Sequence, residues 1–533
     1  MKRWLTIILS SLALILFIYP SAFVYSKDTL PDRNDTRLIA YIIGQVQENI
    51  IHHQPLHYGT FFAPEKNTLA YSDLFLTSSL ITLPFRLFTN HPIIIFNLAF
   101  IINSLLTILM AYLLFSYFFK NHWIATITTF LLFLSGFHLH YYPHLQMFSL
   151  WPLLLCVYFF LRFQKENRLL FLTLFFLALT AQLAESIFGA YLIFFAIFIL
   201  SLRGRKAAAI SDRRGSPQSL CSFAMTKTIF LRVLPFISIW LFLILPYLKL
   251  HFSIPEATRS IREAANFSLG LEQVFTLYHG WTVIALLVFI IGARVCKNRA
   301  TMYIRAEGNP DGRRDEIVTR EPGFLHILNR ILAFGLIMSF GPVVKFLGKT
   351  VKIFRLPIPL PYALFYYLFP GFTGFRTPSR FIILTLFAAT IIIGFALIPV
   401  FKKLKTKTKI IITATILSLL FLEADLPLKG YPVNINMHPV YQEVKALPAN
   451  AVILELPIKH WGMPDHEIEL VRALYSLHHR HRRVGGISGF AKNSWVDLVE
   501  KINANGLDQE NLLRLRSLGV THVIENNKLF PLP

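Results

Sequence analysis

IIIFNLAFIINSLLTILMAYLLFSYFF, residues 93–119, carries no charged side chain and is apolar on every face. As a helix it would rise about 40 Å, more than the ~30 Å hydrocarbon core of a bilayer. Ten further apolar runs lie at 4–24, 123–138, 147–162, 169–184, 186–202, 229–248, 277–295, 326–347, 381–400 and 409–424. The whole chain of 533 residues is 54% hydrophobic and 15% charged, with 50 phenylalanines and a mean hydropathy of +0.53. That composition excludes a disordered chain and argues against a purely soluble enzyme. A domain count of about 3–4 from length assumes water as the solvent, so it does not apply.

The charge points the same way. Lys and Arg number 52 against 29 Asp and Glu, a net of +23. Lys2–Arg3, Lys120, Arg162–Arg168, the stretches 203–232 and 294–330, and the lysines of 402–409 together hold 26 basic and 7 acidic residues. These segments alternate with the apolar runs, so the positive-inside rule assigns them to the cytoplasm. Nucleic acid is therefore not an expected partner; membrane lipids are. The expected topology has eleven spans, the N-terminus inside and the C-terminus outside, with 4–24 as an uncleaved first helix. Segment 73–90, with Pro84 and Arg86, is expected as an interfacial or re-entrant helix. Stretches 203–228 and 295–323, rich in Arg, Gly and Ser, are expected as disordered cytoplasmic insertions.

Beyond Asp425 the pattern becomes globular, with 12 basic and 11 acidic residues. VILEL (452–456) and VTHVI (520–524) are expected as buried strands, and 439–447, 466–478, 494–503 and 508–517 as helices. The expected domains are a transmembrane domain, 1–424, and a small extracytoplasmic α/β domain, 425–533. No Gly-rich nucleotide loop opens a helix there, and the outer portion has no cysteine.

The first outer loop, 25–72, is the densest source of chemistry. It reads SKDTLPDRNDTRLIAYIIGQVQENIIHHQPLHYGTFFAPEKNTLAYSD from Ser26 to Asp73. Asp35 stands where an N-cap would stand ahead of the amphipathic run 37–50, and Asp73 ahead of 74–90. The alternative for Asp35 is a general base or a metal-positioning carboxylate at the membrane surface. Arg376 and Arg380 in PGFTGFRTPSRF (370–381) suit a phosphate, because a guanidinium forks onto two oxygens; the alternative is headgroup contact. Arg259, Arg262 and Glu263 form a second patch. His138 and His140 in HLHYYPH (138–144) are weighed as metal ligands against interfacial histidines. HHRHRR (478–483) is expected as a solvated basic patch, and Glu185 as a turn carboxylate in water or a donor-site acid.

NDTRLIAY (34–41), FFAP (61–64) and NTLAYSD (67–73) resemble the first outer loop of bacterial polytopic GT-C-type glycosyltransferases, the RgtA/B/C/D-like or mannosyltransferase-like membrane proteins. HPIIIFN (91–97), HLQ (144–146) with WPLLL (151–155), PYALFYYLFPGFTGFRTPSRF (361–381), VILELP (452–457) and GVTHVI (519–524) extend the resemblance along most of the chain outside the basic insertions. It departs where Gly is frequent before the acid and Trp in the following helix: here stand Asn34 and Tyr41, the latter an aromatic suited to an interface.

The resemblance implies a GT-C-like helical polytopic membrane protein of the bacterial inner membrane. It implies a polyprenyl-phosphate sugar donor, a lipid, glycan or protein acceptor, and inversion at the anomeric carbon. Asp35 matches the family's catalytic base; the expected substrate-binding set is Arg37, Asp73, His144, Gln146, Glu185, Arg376 and Arg380. No cofactor is assigned, and a divalent cation is left open. The rivals are a transporter or flippase for a lipid-linked glycan, which predicts internal repeats and polar residues at midplane, and a non-enzymatic assembly protein.

Overall fold

The computed structural model describes residues 2–211, 219–276, 322–433 and 435–533. It is mostly helical. Pro92–Phe119, Leu145–Glu166, Val233–Ser253 and Pro378–Lys403 are long and apolar enough to cross a membrane, and five shorter apolar helices accompany them among the described residues. Run 277–295 and nearly all of 295–323 lie outside the described residues. Of the stretch 203–228, residues 212–218 lie outside the described residues; helices Ile187–Ser211 and Ser219–Ser253 enter the stretch from both sides. Residues 205–210, RKAAAI, are mostly strong helix formers.

Helix ends follow local chemistry. The run expected at 326–347 stops at Ser339, where Gly341 takes φ +67° and Pro342 follows. Two short hairpins continue instead, Lys345–Phe346 with Lys349–Thr350 and Lys352–Ile353 with Leu356–Pro357. Segment 73–90 is a seven-residue helix, Leu76–Thr82, passing at Pro84 into a 3-10 turn, Leu83–Leu87.

Polar groups inside the bundle are spent on each other, as a low-dielectric interior requires. Asn103 on Pro92–Phe119 donates to the Ser78 hydroxyl at 3.0 Å and accepts from Ser149 at 2.7 Å and from the Trp151 indole at 2.8 Å. Ser78 in turn is held by Glu185.

The C-terminal segment forms a four-stranded sheet in the order 528–531, 522–525, 452–455, 482–483. The first pair is antiparallel; Ile453 pairs with His522 and with Arg483 in parallel register. Helices Val440–Lys445, Glu467–His479, Asn493–Asn505 and Gln509–Ser517 surround it, near the boundaries expected from their periodicity. The segment 60–63 closes the exposed edge: the Arg483 amide donates to the Thr60 carbonyl at 2.7 Å, and the Ala63 amide donates to the Arg483 carbonyl at 2.9 Å. Helix Glu467–His479 packs on helix Asp35–Ile51, where a Cβ at Gly44 would come within 2.7 Å of Leu477.

HHRHRR is not a solvated patch. Arg483 is fully buried, with Nε 2.5 Å from Glu455 and Nη2 2.5 Å from Glu469; His479 and His481 are buried as well. Arg480 is the exposed one of its arginines, and it pairs with the buried Glu48 at 2.8 Å.

Candidate functional site

Helix Asp35–Ile51 starts at Asp35, but Asp35 does not cap it. Asp32 performs that task. Its Oδ1 accepts from the amides of Asn34 and Thr36 and from the Thr36 hydroxyl, each at 2.9 Å. Asn34 has φ −118°, so no glycine-like backbone is needed before the acid. Tyr41 is fully buried rather than interfacial, and its hydroxyl meets Thr60 at 2.8 Å.

The second acid is relieved in the same way. Phe75, with φ +52°, precedes helix Leu76–Thr82 and supplies no side-chain cap. Glu185, from another helix, accepts the Ser78 amide at 2.9 Å and the Ser78 hydroxyl at 2.6 Å. Glu185 is wholly buried. It is therefore neither a turn carboxylate in water nor a wall of an open cavity; it anchors the backbone beside Asp73.

Asp35 and Asp73 both come under the field of Arg380, and Asp73 is also turned to the Ile187 amide at the start of helix Ile187–Ser211. Burial pushes the Asp35 carboxyl up, while Arg380 and then Arg376 oppose the rise. Asp73 is raised by burial too, with Arg380, the Ser186 hydroxyl and the Ile187 amide opposing. Asp35 nevertheless keeps 43% of its side-chain surface, so the carboxylate is recessed but reachable.

His144 Nδ1 stands 3.5 Å from Asp35 Oδ2. Burial, seconded by Arg380, pushes its pKa down to about 3. At neutral pH the contact is therefore a neutral imidazole beside a carboxylate, not an ion pair.

Arg380 sits in a 3-10 turn, Pro378–Phe381, at the head of a long apolar helix. Its guanidinium lies 5.9 Å from the Tyr141 ring and 5.8 Å from the Phe188 ring. Its Nε is buried without a hydrogen-bond partner. Arg376 is more committed: Nε reaches Glu263 at 3.0 Å, and the guanidinium covers Phe267 at 4.3 Å. Glu263 also faces Arg259 at 3.5 Å, so the second basic patch joins this one. Gln146 is half-buried, with Oε1 unpartnered.

Arg37 belongs elsewhere. Two residues along a helix turn the side chain by ~200°, and Arg37 meets Glu467 at 3.4 Å instead of facing Asp35's neighbours. Sequence reasoning missed Asp32, Ser78, Tyr141 and Ser379. Tyr141 joins Ser379 through a 3.2 Å hydroxyl contact. The only early signal was the crowding of acids ahead of residue 36.

A divalent cation does not fit these residues. Among the described residues no three His, Cys, Asp or Glu side chains gather as a ligand set, and both carboxylates already lie in the positive field of Arg380. His138 is also unsuited as a ligand: its ring nitrogens lie 2.8 Å from the carbonyls of Phe133 and Phe148.

One consequence concerns Asp32. Asp32→Ala is expected to cost about 0.5–2 kcal/mol in stability and to slow any reaction at Asp35 by up to roughly 10²-fold through misplacement. Asp32→Asn, which keeps the acceptor oxygen, should restore most of both. Thermal unfolding and turnover of the two variants check this.

No protein-family model matches the chain, and no curated protein matches it. Among solved structures it is similar to the crystal structure of the Archaeoglobus fulgidus oligosaccharyltransferase in the apo form. The identity is 12% and the TM-score 0.44, over 98% of this chain and 69% of that one.

Proposed function

We propose that the chain is an integral-membrane glycosyltransferase of GT-C type. It transfers a sugar from a polyprenyl-phosphate donor to a lipid, glycan or protein acceptor on the outer face of the cytoplasmic membrane. One observation carries this reading: Asp35, released from capping by Asp32, keeps an open carboxylate 3.5 Å from His144 and within the field of Arg380, which also acts on Asp73.

In this mechanism the Asp35 carboxylate takes the proton of an acceptor hydroxyl as its oxygen attacks the anomeric carbon. The bond from that carbon to the phosphate oxygen breaks, and the phosphate leaves with the electron pair. Arg380, with Arg376 behind it, stabilises the departing charge. Displacement from the opposite face inverts the anomeric centre. The neutral His144 positions Asp35. Asp73 adds a second negative charge in the field of Arg380, and Glu185 fixes the Ser78 backbone that follows Asp73. No step is routed through a metal.

The test is sugar transfer by the purified chain from a panel of polyprenyl-phosphate sugars. A flippase would move the lipid-linked glycan between leaflets of a vesicle and transfer nothing.

The pH dependence is signed. Asp35 works ionised, and its pKa is raised, so the rate falls with decreasing pH at values above those of an ordinary aspartate, ~3.9. Arg380 opposes that rise. Arg380→Gln should therefore lower the rate and also move the acid limb of kcat/KM to higher pH. A limb that stays in place or moves down would remove Asp35 as the titrating base.

A further inference from the structure

The two hairpins that follow helix Pro322–Ser339 are one sequence pattern written twice. VKFLGKT (344–350) is followed at once by VKIFRLP (351–357), and Ile358 stands where the pattern would begin again. Val344, Val351 and Ile358 close a ring of backbone hydrogen bonds. The Val351 amide donates to the Val344 carbonyl at 2.9 Å, Ile358 to Val351 at 3.3 Å, and Val344 to Ile358 at 3.2 Å. The ring locks both hairpins at their bases, and the Leu360 amide ties the unit to the Pro342 carbonyl at 2.9 Å.

The side chains that this unit displays are poorly suited to water. Leu347 is 69% exposed, Leu356 71% and Phe354 96%, and Phe346 and Ile353 are exposed as well. Each tip turns through two residues of positive φ: Leu347–Gly348 at +49° and +73°, and Phe354–Arg355 at +48° and +68°. Asn and Gly are the ordinary occupants of such a turn. The second tip instead holds a large aromatic and an arginine in the left-handed region, which costs backbone strain. Strands of two residues add little stability of their own. Water returns nothing for ordering apolar side chains in the open, whereas an apolar phase does.

Cations surround the apolar tips. Lys349, Lys352 and Arg355 are exposed, and the sequence has no Asp or Glu between Glu321 and Glu423. Apolar side chains interleaved with Lys and Arg match a bilayer surface, where acyl chains lie beneath anionic phosphates. A soluble polyanion would engage the cations and leave Phe354 and Leu356 in water. The adjoining chain agrees with the bilayer. Helix Pro361–Leu368 has Leu364, Tyr367 and Leu368 exposed at i, i+3 and i+4, so its apolar face continues that of the hairpins.

Lys345, at the base, is spent on the fold. Its Nζ donates to the carbonyls of Asn266 at 3.0 Å and Ser268 at 3.4 Å, and the Leu347 amide donates to Glu272 at 2.9 Å. The carbonyl of Phe267, between those two anchors, accepts from the Ser379 amide at 3.5 Å, one residue before Arg380. The hairpins are thus fastened to the end of the bundle that carries the arginine turn.

We propose that the double hairpin 344–358 is a lipid-binding anchor, seating Leu347, Phe354 and Leu356 among acyl chains and Lys349, Lys352 and Arg355 against anionic phosphate headgroups. Such an anchor needs only a bilayer, whatever reaction the chain performs. The test uses the full-length chain with Cys221→Ser and Cys296→Ser; Cys156 is buried and stays. Phe354→Cys carries an environment-sensitive fluorophore, and the protein is reconstituted into vesicles of phosphatidylcholine and phosphatidylglycerol. The label should be shielded from aqueous iodide and quenched by lipids bearing a nitroxide high on the acyl chain. Nitroxide-bearing phosphatidylglycerol should quench at a roughly fivefold lower mole fraction than its phosphatidylcholine counterpart. Combining Lys349→Gln, Lys352→Gln and Arg355→Gln should abolish that preference. Leu356→Cys, away from the strained tip, gives the same readings if Phe354→Cys disturbs the turn. A label open to iodide and untouched by either lipid overturns the anchor. So does equal quenching by the two lipids, or a preference that survives the triple substitution. Shielding that appears only when a soluble anionic polysaccharide is added assigns the cations to a glycan and also overturns it.

Discussion

Asp35→Asn is expected to lower sugar transfer by roughly 10²–10⁴-fold, the usual contribution of a positioned general base, while donor binding and the unfolding midpoint stay near those of the wild type. The asymmetry follows from the division of labour at the helix start. Asp32, not Asp35, holds the amides of Asn34 and Thr36, so an amide at position 35 removes no structural hydrogen bond. The Asn variant also keeps the size of the side chain and its place beside His144. Residual transfer should lose the acid limb. Transfer and donor affinity measured side by side check the prediction; undiminished turnover in Asp35→Asn sinks the base assignment. A large loss of stability would instead mean that Asp35, after all, supports the helix.

The largest stability effect is expected far from any base. Arg483→Met should destabilise the C-terminal sheet by about 3–5 kcal/mol, because it leaves buried carboxylates uncompensated. Glu455 is 2% exposed, Glu469 is 0% exposed, and each loses a 2.5 Å partner. Arg472 cannot replace both. It already bonds Glu469 at 2.8 Å and the carbonyls of Glu455, Leu456 and Pro457. Replacing Arg483, Arg472, Glu455 and Glu469 together by apolar residues of similar volume should recover most of the loss, since buried ion pairs gain little over a packed apolar core. Thermal unfolding of the single and quadruple variants gives the comparison, and equal midpoints would show that the network contributes nothing specific.

The two predictions separate what was legible in the chain from what was not. Helices 466–478 and 494–503 were legible to within a residue or two because their 3.6-residue apolar period is local. The end of the run at 326–347 was overshot, although Gly341 and Pro342 stood in the sequence as stop signals. The candidate acids were visible as Asp35 and Asp73, and the arginines as Arg376 and Arg380. Their duties were not. Asp35 and Asp73 both occupy positions where a cap is the ordinary reading, and only Asp32 and Glu185 show that capping is done by others. Arg37 sat in the right motif but faces a different cleft. The HHRHRR run looked solvated because six polar residues in a row usually are; the carboxylates that neutralise Arg483 lie elsewhere in the chain.

By itself, the sequence determined the apolar solvent of this protein, the spacing of its long helices and the sign of charge between them. These depend on transfer free energies and periodicities of contiguous residues. The tertiary structure decided which carboxylates are free to act and which charges are buried in pairs. Those properties depend on groups distant in sequence, Ser78 with Glu185 or Thr60 with Arg483, and a charge acquires its pKa and its task only from the neighbours that folding brings to it.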